Sequence, residues 1–321
     1  MEKFDVTTLG EILIDFTPAG KSAGGRNVFE ENPGGAPANV AAAAAKLGAK
    51  TAFIGKTGAD QFGHDAREAL ERCGVYTGAM REDTAHHTTL AFVTLSPSGE
   101  RSFSFARNGG ADIQLSAQDI DGNVIQHSTF LHTGSLSLTD EPSHSATLEA
   151  IKTAKQAGVL ISYDPNWREP LWNNRNTGIE TMKSMFKYAD VVKISDNELE
   201  LMYGVNASDA THNILNEGVK LVCVTLGKDG VFYKTPSFQG IISIPEYGIQ
   251  PVDTTGAGDS FTGALLYRLT RKAAPLSFTQ NELEQDLNFA NAAATLCVSR
   301  RGAIPALATL DEVTNLMETL K

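Results

Sequence analysis

Residues 252–261 read Val-Asp-Thr-Thr-Gly-Ala-Gly-Asp-Ser-Phe, and 262–269 continue apolar at helical spacing with no breaker beyond Gly263. A helix must therefore begin inside the glycine pair. Such a start leaves unpaired backbone N–H groups pointing forward, unobstructed by β-carbons, where the positive end of the helix dipole also points. The result is a cradle for an anion of phosphate size. Asp259 falls in the first turn beside it. An acid in that position suits proton abstraction from a group that attacks the phosphate. It equally suits ordinary capping, since Asp near a helix start is common. These residues alone leave both readings open.

The chain has 321 residues, enough for one large α/β domain or two ordinary ones. Its 41% hydrophobic and 20% charged content are those of a soluble globular protein. A formal net charge of -11 argues against a nucleic-acid or anionic-membrane partner, so an anionic ligand has to be held locally. Cys73, Cys223 and Cys297 are isolated and lack metal-ligand spacing, which points to a reduced, cytoplasmic setting. The N-terminus carries no signal pattern and no apolar run approaches membrane length, so no anchor is expected.

The order of elements predicts a mostly parallel sheet. Residues 4–14 are β-compatible, broken at Gly10-Glu11 and ending in Asp15; 17–32 read as loop with short strands near Val28 and Phe29. Gly34-Gly35 then lead into an alanine-rich helix over 40–47, where the glycines admit close approach of a substrate and Asn39 offers a donor and an acceptor. A strand at 51–56 and a helix at 65–73 continue the alternation. Strands at 88–95 and 101–106, joined by Ser96-Pro97-Ser98-Gly99-Glu100, interrupt it with a hairpin. Together with the strands near Asp15 and Val28 it would form a small projecting sheet, a lid, with Arg107 at its hinge. The alternation resumes with helix 143–157, strand 159–163 ending in Asp164-Pro165-Asn166-Trp167-Arg168, strand 191–194 with Lys193, and a helix from Asp196. Strands at 221–226 and 231–233 pair, and a further helix covers 287–298. Polar residues at strand C-terminal ends are where open α/β sheets bind ligands.

The chain carries neither a P-loop pattern nor a dinucleotide-binding glycine fingerprint after its first strand, which disfavours a dehydrogenase. From Gly10-Glu11 to Gly302-Ala303 it resembles the ribokinase-like (PfkB) carbohydrate kinases, on two signatures: Gly34-Gly35-Ala36-Pro37-Ala38-Asn39-Val40-Ala41 and Asp253-Thr254-Thr255-Gly256-Ala257-Gly258-Asp259. The resemblance implies a three-layer α/β/α sandwich with a β-sheet lid, residues 1–321 forming one kinase domain with lid strands at about 12–33 and 88–107 inserted in it. It implies ATP-dependent phosphorylation of a sugar hydroxyl, with Asp259 as base and Gly256, Ala257 and Gly258 as anion hole. By the same resemblance Asp15, Gly34, Gly35, Asn39 and Phe105 contact the sugar, and Thr225, Gly227, Gly230 and Asn291 line the nucleotide. Lys193 matches a phosphate-side lysine, and Glu198 an acid that organises Mg2+ through water. Members also bind K+ near Asp253 and Thr255, with carbonyls around Cys297, Arg300 and Gly302.

Two positions depart from the pattern. The magnesium motif Asn-x-x-Glu begins here with Ser195, and Ala306 stands where some potassium-dependent members have Ser. Within the family the segments 10–16, 90–95, 162–166 and 170–172 look most like those of fructokinases, with phosphorylation expected at O6. Arg107 matches an arginine placed over a ketose, and Arg168 one that faces the transferred phosphate or a substrate carboxylate. Both arginines also occur in 2-keto-3-deoxygluconate kinases, so that class and other riboside kinases are the alternatives; a catalytically idle binding module is disfavoured by the intact Asp259. Apolar lid strands predict a homodimer formed through the lid.

Overall fold

The computed structural model describes residues 3–95, 101–205 and 207–319. In chain order the elements begin with β1 (Phe4–Leu9), β2 (Leu13–Lys21), β3 (Asn27–Gly34), α1 (Ala36–Lys46), β4 (Thr51–Ile54), β5 (Lys56–Gly58), α2 (Gln61–Arg72) and β6 (Arg81–Asp83). They continue with β7 (Leu90–Leu95), β8 (Arg101–Ala106), α3 (Gly122–Gln126), β9 (Ser128–Thr133), α4 (Ser143–Gln156), β10 (Leu160–Tyr163), α5 (Arg175–Ser184), β11 (Val191–Ser195), α6 (Asp196–Tyr203) and α7 (Ala207–Asn216). The chain closes with β12 (Leu221–Thr225), β13 (Val231–Lys234), β14 (Gln239–Ile242), α8 (Ala257–Thr270), α9 (Gln280–Val298) and α10 (Leu310–Glu318).

An eight-stranded sheet runs β14-β13-β12-β11-β10-β9-β1-β4, parallel from β12 to β4, with β13 and β14 antiparallel at one edge. Its parallel strands are almost entirely buried, as strands covered on both faces must be, and the polar residues among them, such as His132 and Lys193, are buried too. Helices α1, α8 and α9 cover one face, through Val40, Phe261, Leu265 and Leu287 against Val6, Phe130 and Cys223. Helices α3 to α7 cover the other, where Ile151, Phe186 and Ile214 meet Leu131, Ile161 and Val222. The three-layer sandwich implied by the sequence is thus formed.

Alanines and one glycine draw α1 and α8 together. A β-carbon on Gly263 would lie 2.6 Å from Cβ of Ala43 and 2.8 Å from the carbonyl of Val40. Gly263, which looks like a weak point of the helix, is instead the residue that permits this crossing. The close packing brings the N-terminal turns of both helices to the same end of the sheet.

The second sheet is ordered β3-β2-β7-β8, with β2 and β7 parallel and the other pairs antiparallel. It is the expected lid. Residues 17–32, loop-like in composition but placed among the lid strands by the family resemblance, form most of a long antiparallel ribbon in which Leu13 faces Gly34 and Lys21 faces Asn27. Polar residues suffice there because much of the ribbon is exposed on both faces. The turn expected at 96–100 lies outside the described residues. Helix α1 begins at Ala36, before the expected residue 40, because Pro37 falls in the first turn, where its missing N–H costs nothing.

Candidate active site

A cavity of about 530 Å3 opens between the C-terminal ends of the parallel strands, the start of α8 and the lid. Leu13, Asp15 and Phe105 line it from the lid, Trp167 and Arg168 from the segment after β10, and Gly256, Gly258 and Asp259 from the start of α8. Of the sequence-predicted residues, Gly35, Asn39, Lys193, Glu198 and Thr255 line it as well.

The helix starts inside the glycine pair. Gly256 is the N-cap of α8 at φ 76°, in the left-handed region, with a β-carbon position 3.0 Å from Cβ of Ala303. Gly258 faces the ammonium of Lys193, 2.9 Å from where a β-carbon would sit. A lysine and a helix N-terminus therefore converge on one spot, and both favour an anion.

Asp259 lies one residue beyond. Its Oδ2 accepts a hydrogen bond from Nδ2 of Asn39 at 2.7 Å, an interaction bridging α8 and α1. Burial pushes its carboxyl above the usual range; Asn39, Lys193 and Arg168 pull the other way, and Glu198 adds to the rise. A carboxylate whose proton affinity has been increased by its surroundings is suited to taking a proton from an alcohol.

Lys193 is buried and pairs with Oδ2 of Asp164 at 3.0 Å. Burial alone would lower its proton affinity, but Asp164, Glu198 and Asp259 outweigh that and hold it charged. Asp164, at the end of β10, is raised to about 6, first by burial and then by Glu198 and Asp259, against the pull of Lys193. Glu198 is held below its ordinary value, because Lys193, Ser195 and Trp167 outweigh its burial. Ser195, where the family motif has Asn, makes a capping box for α6: its Oγ donates to Oε2 of Glu198 at 2.7 Å, and its own N–H donates to the same oxygen at 2.8 Å. The N–H of Trp167 donates to Oε1 at 2.6 Å. Three carboxylates thus surround a single lysine beside the anion hole, and the surplus negative charge fits a divalent cation.

The wall nearest the lid is formed by Asp15, Gly35 and Asn39, with Gly34 against Asp15 just outside the cavity lining. A side chain at position 34 is barred, since its β-carbon would lie 2.6 Å from Oδ2 of Asp15. The Asp15 carboxyl rises to about 7, chiefly through burial and further through Asp259 and Asp253, with Arg168 opposing. Oδ1 of Asn39 has no hydrogen-bond partner among the described residues, and its Nδ2 is taken by Asp259.

Arg107 borders a second recess with Phe105, Asn108 and Asp140. Its Nε meets Asp112 at 2.7 Å, and its two terminal nitrogens donate to Thr139 Oγ1 and the Leu136 carbonyl, each at 2.8 Å. The remaining predicted residues lie along neighbouring elements. Thr225 ends β12 opposite Ser195; Gly227, at φ 58°, and Gly230, at φ 105°, shape the turn into β13; Asn291 is buried on α9. Asp253 closes the loop before α8 by accepting from the N–H groups of Thr255 at 2.8 Å and Gly302 at 3.1 Å. Cys297 Sγ lies 3.7 Å from the Thr255 carbonyl, and the Arg300 side chain pairs with Glu312.

Glu11, Asp164 and Trp167 line or support the site although the sequence assigns them no role. Asp164 and Trp167 belong to the polar run after a strand, a visible signal; Glu11 has only its place after Gly10.

Residues 3–310 match the model of the pfkB family carbohydrate kinases. The chain is 43% identical over 318 residues to a probable fructokinase-5 of Arabidopsis thaliana, covering 98% of this chain and 97% of that protein. Among solved structures it superposes on a fructokinase with bound ATP from Xylella fastidiosa with a TM-score of 0.91 at 31% identity, over 98% of this chain and 99% of that one. It also superposes on a fructokinase from Vibrio cholerae O395 in a form bound to fructose, ADP and calcium ion, with a TM-score of 0.87 at 34% identity, over 97% and 98% of the two chains.

Proposed function

The chain belongs to the pfkB family of carbohydrate kinases, and on that premise we propose that it is an ATP-dependent fructokinase, transferring the γ-phosphoryl group to a fructose hydroxyl, O6 in this reading. The observation that carries it is the meeting of Asp259, Asn39, Lys193 and the glycine start of α8 in one cavity.

Fructose sits on the wall of Asp15, Gly34, Gly35, Asn39 and Phe105, with Asn39 Oδ1 accepting a sugar hydroxyl. Asp259 takes the proton of the attacking hydroxyl. The N–H groups of 256–258, with Lys193 and Arg168, stabilise charge on the transferring group, the largest contribution expected for phosphoryl transfer. ATP extends past Lys193 toward Thr225, Gly227, Gly230 and Asn291. A magnesium ion, when bound, neutralises phosphate charge, and Glu198 and Asp164 are the residues that would hold it through water. The loop of Asp253, Thr255, Cys297, Arg300 and Gly302 would hold a potassium ion next to the anion hole.

Arg107, expected over the ketose, borders the second recess and is not among the residues that line the cavity. Its fork of donors is engaged by Asp112, Thr139 and Leu136, so it braces the sugar side of the cavity instead of offering a paired contact to a carboxylate.

Residues 1–321 act in this reading as one kinase domain with the lid inserted, and two copies associate through the lid, where Val28, Phe29 and Phe92 are 39%, 37% and 36% exposed. Among the described residues no helix is long and apolar enough to cross a membrane, and three free cysteines support a cytoplasmic setting. ADP release with magnesium-ATP over fructose, ribose, 2-keto-3-deoxygluconate, glucose and aminoimidazole riboside tests the assignment. A clear preference for fructose supports it; a preference for the keto acid transfers Arg168 to carboxylate recognition, and silence on every sugar refutes the kinase reading.

A further inference from the structure

Helix α1 lacks a side chain at its own cap. Gly35 occupies the cap position at φ 111°, and a β-carbon there would lie 2.6 Å from the carbonyl oxygen of Glu11 and 3.0 Å from Cα of Ile12. Ser, Thr, Asp or Asn would ordinarily cap such a helix, but none fits at this close approach. The turn that must bare its backbone to the sugar therefore cannot also cap the helix behind it.

The cap is supplied from the other side of the turn. Oε1 of Glu11, on the segment between β1 and β2, accepts from the Ala36 N–H at 2.9 Å. Gly10 makes the approach possible: its φ is 152°, and a β-carbon on it would lie 2.6 Å from Cγ of Pro37. One helical turn past Ala36 stands Asn39, whose Nδ2 donates to Asp259 at 2.7 Å. Two hydrogen bonds and a single turn of helix thus separate Glu11 from the base.

Glu11 is 2% exposed and belongs to the cavity wall, and its Oε2 has no hydrogen-bond partner among the described residues. Burial lifts its carboxyl to about 7, with the Glu11 and Ala36 N–H groups and Arg107 opposing the rise and Asp112 adding to it. A buried carboxyl with one orphaned oxygen costs stability, so a cap that stability alone required would take a cheaper form.

We propose that Glu11 is a positioning residue for phosphoryl transfer, capping α1 from across the Gly34-Gly35 turn and so fixing Asn39 and, through it, the carboxylate of Asp259. The inference rests on the reading of Asp259 as general base.

The test is a double-mutant cycle on the full chain, with turnover, ATP and sugar KM and melting temperature measured for Glu11→Ala, Asn39→Ala and the pair. Glu11→Ala should lower kcat roughly tenfold or more, the scale of a displaced catalytic group, with little change in ATP KM. In the Asn39→Ala background the same change should cost less than about twofold, because its effect passes through Asn39. Independent, multiplying losses would overturn the proposal, as would full turnover in Glu11→Ala. Should the alanine variant fail to fold, Glu11→Gln and Glu11→Asp decide. Gln keeps the reach to Ala36 and should stay the more active, whereas Asp keeps the charge and falls short; Asp outperforming Gln would overturn the cap. Asp259→Asn assayed in parallel reports on the base assignment separately, since near-normal turnover there refutes that assignment whatever the cycle shows.

Discussion

Lys193 and Gly258 share one space: the lysine ammonium lies 2.9 Å from where a β-carbon on the glycine would sit. The absence of that side chain lets a buried cation reach the first turn of α8, next to Asp259. Gly258→Ala should therefore displace the lysine tip and crowd the anion hole while leaving the fold intact, because the clash falls on the end of a flexible side chain. We expect kcat to fall by about 100-fold or more, the scale of losing one oxyanion donor, with a melting temperature close to wild type. Steady-state kinetics beside thermal melts would check this, and unimpaired turnover would mean that the cradle is not where phosphoryl charge develops.

Charge around Asp259, the proposed base, sets a pH dependence. Burial raises the Asp259 carboxyl and Arg168 pulls it down, so removing the arginine must raise it further. In Arg168→Gln the acidic limb of kcat/KM should move to higher pH. The measurement is a full pH profile of both enzymes with sugar saturation checked at each point; a limb that stays in place or moves to lower pH would contradict the coupling.

Asp15, proposed to contact the sugar, also bears on stability. Its folded value of about 7 stands above its ordinary 3.8, so the folded state binds the proton more tightly. Its contribution to stability is complete below the ordinary value and is lost as pH rises to the folded one. Asn at this position does not titrate. The melting temperature of Asp15→Asn relative to wild type should accordingly increase from about pH 4 to about pH 7 and level off above that, while sugar KM rises. A gap that is constant with pH would show that the carboxyl ionises as freely in the fold as outside it.

The lid carries the assembly prediction. Phe92 stacks on Phe16 with ring centroids 5.1 Å apart and meets Phe29 edge-on at 6.2 Å, leaving an apolar surface exposed on the outer sheet. Phe92→Asp should convert a dimer into a monomer by light scattering at micromolar concentration. A wild-type protein that is already monomeric under those conditions would remove the proposal.

What the sequence made legible was governed by local rules. The start of α8 follows from two glycines, an apolar run and the chemistry of helix ends, and the helix begins at Ala257 as those rules require. The α/β alternation likewise follows from periodicity. Contacts between distant segments were another matter. The ribbon through 17–32 is polar and gains its order from pairing, including a parallel match of β2 with β7. Arg107 offers a free fork in the sequence, yet its partners Thr139 and Leu136 come from the loop after β9 and fold over it. The role of Glu11 depends on a glycine that leaves room for a carboxylate to reach the helix, a relationship that composition and spacing do not encode.

Phosphoryl transfer to fructose is tested most directly by identifying the product. Phosphorus NMR of a mixture of magnesium-ATP, fructose and a catalytic amount of enzyme should show ATP converted to ADP and a sugar phosphate ester at O6, with Asp259→Asn slower by about two to four orders of magnitude. ADP accompanied by free phosphate, or an ester formed as fast by Asp259→Asn as by wild type, would contradict the account.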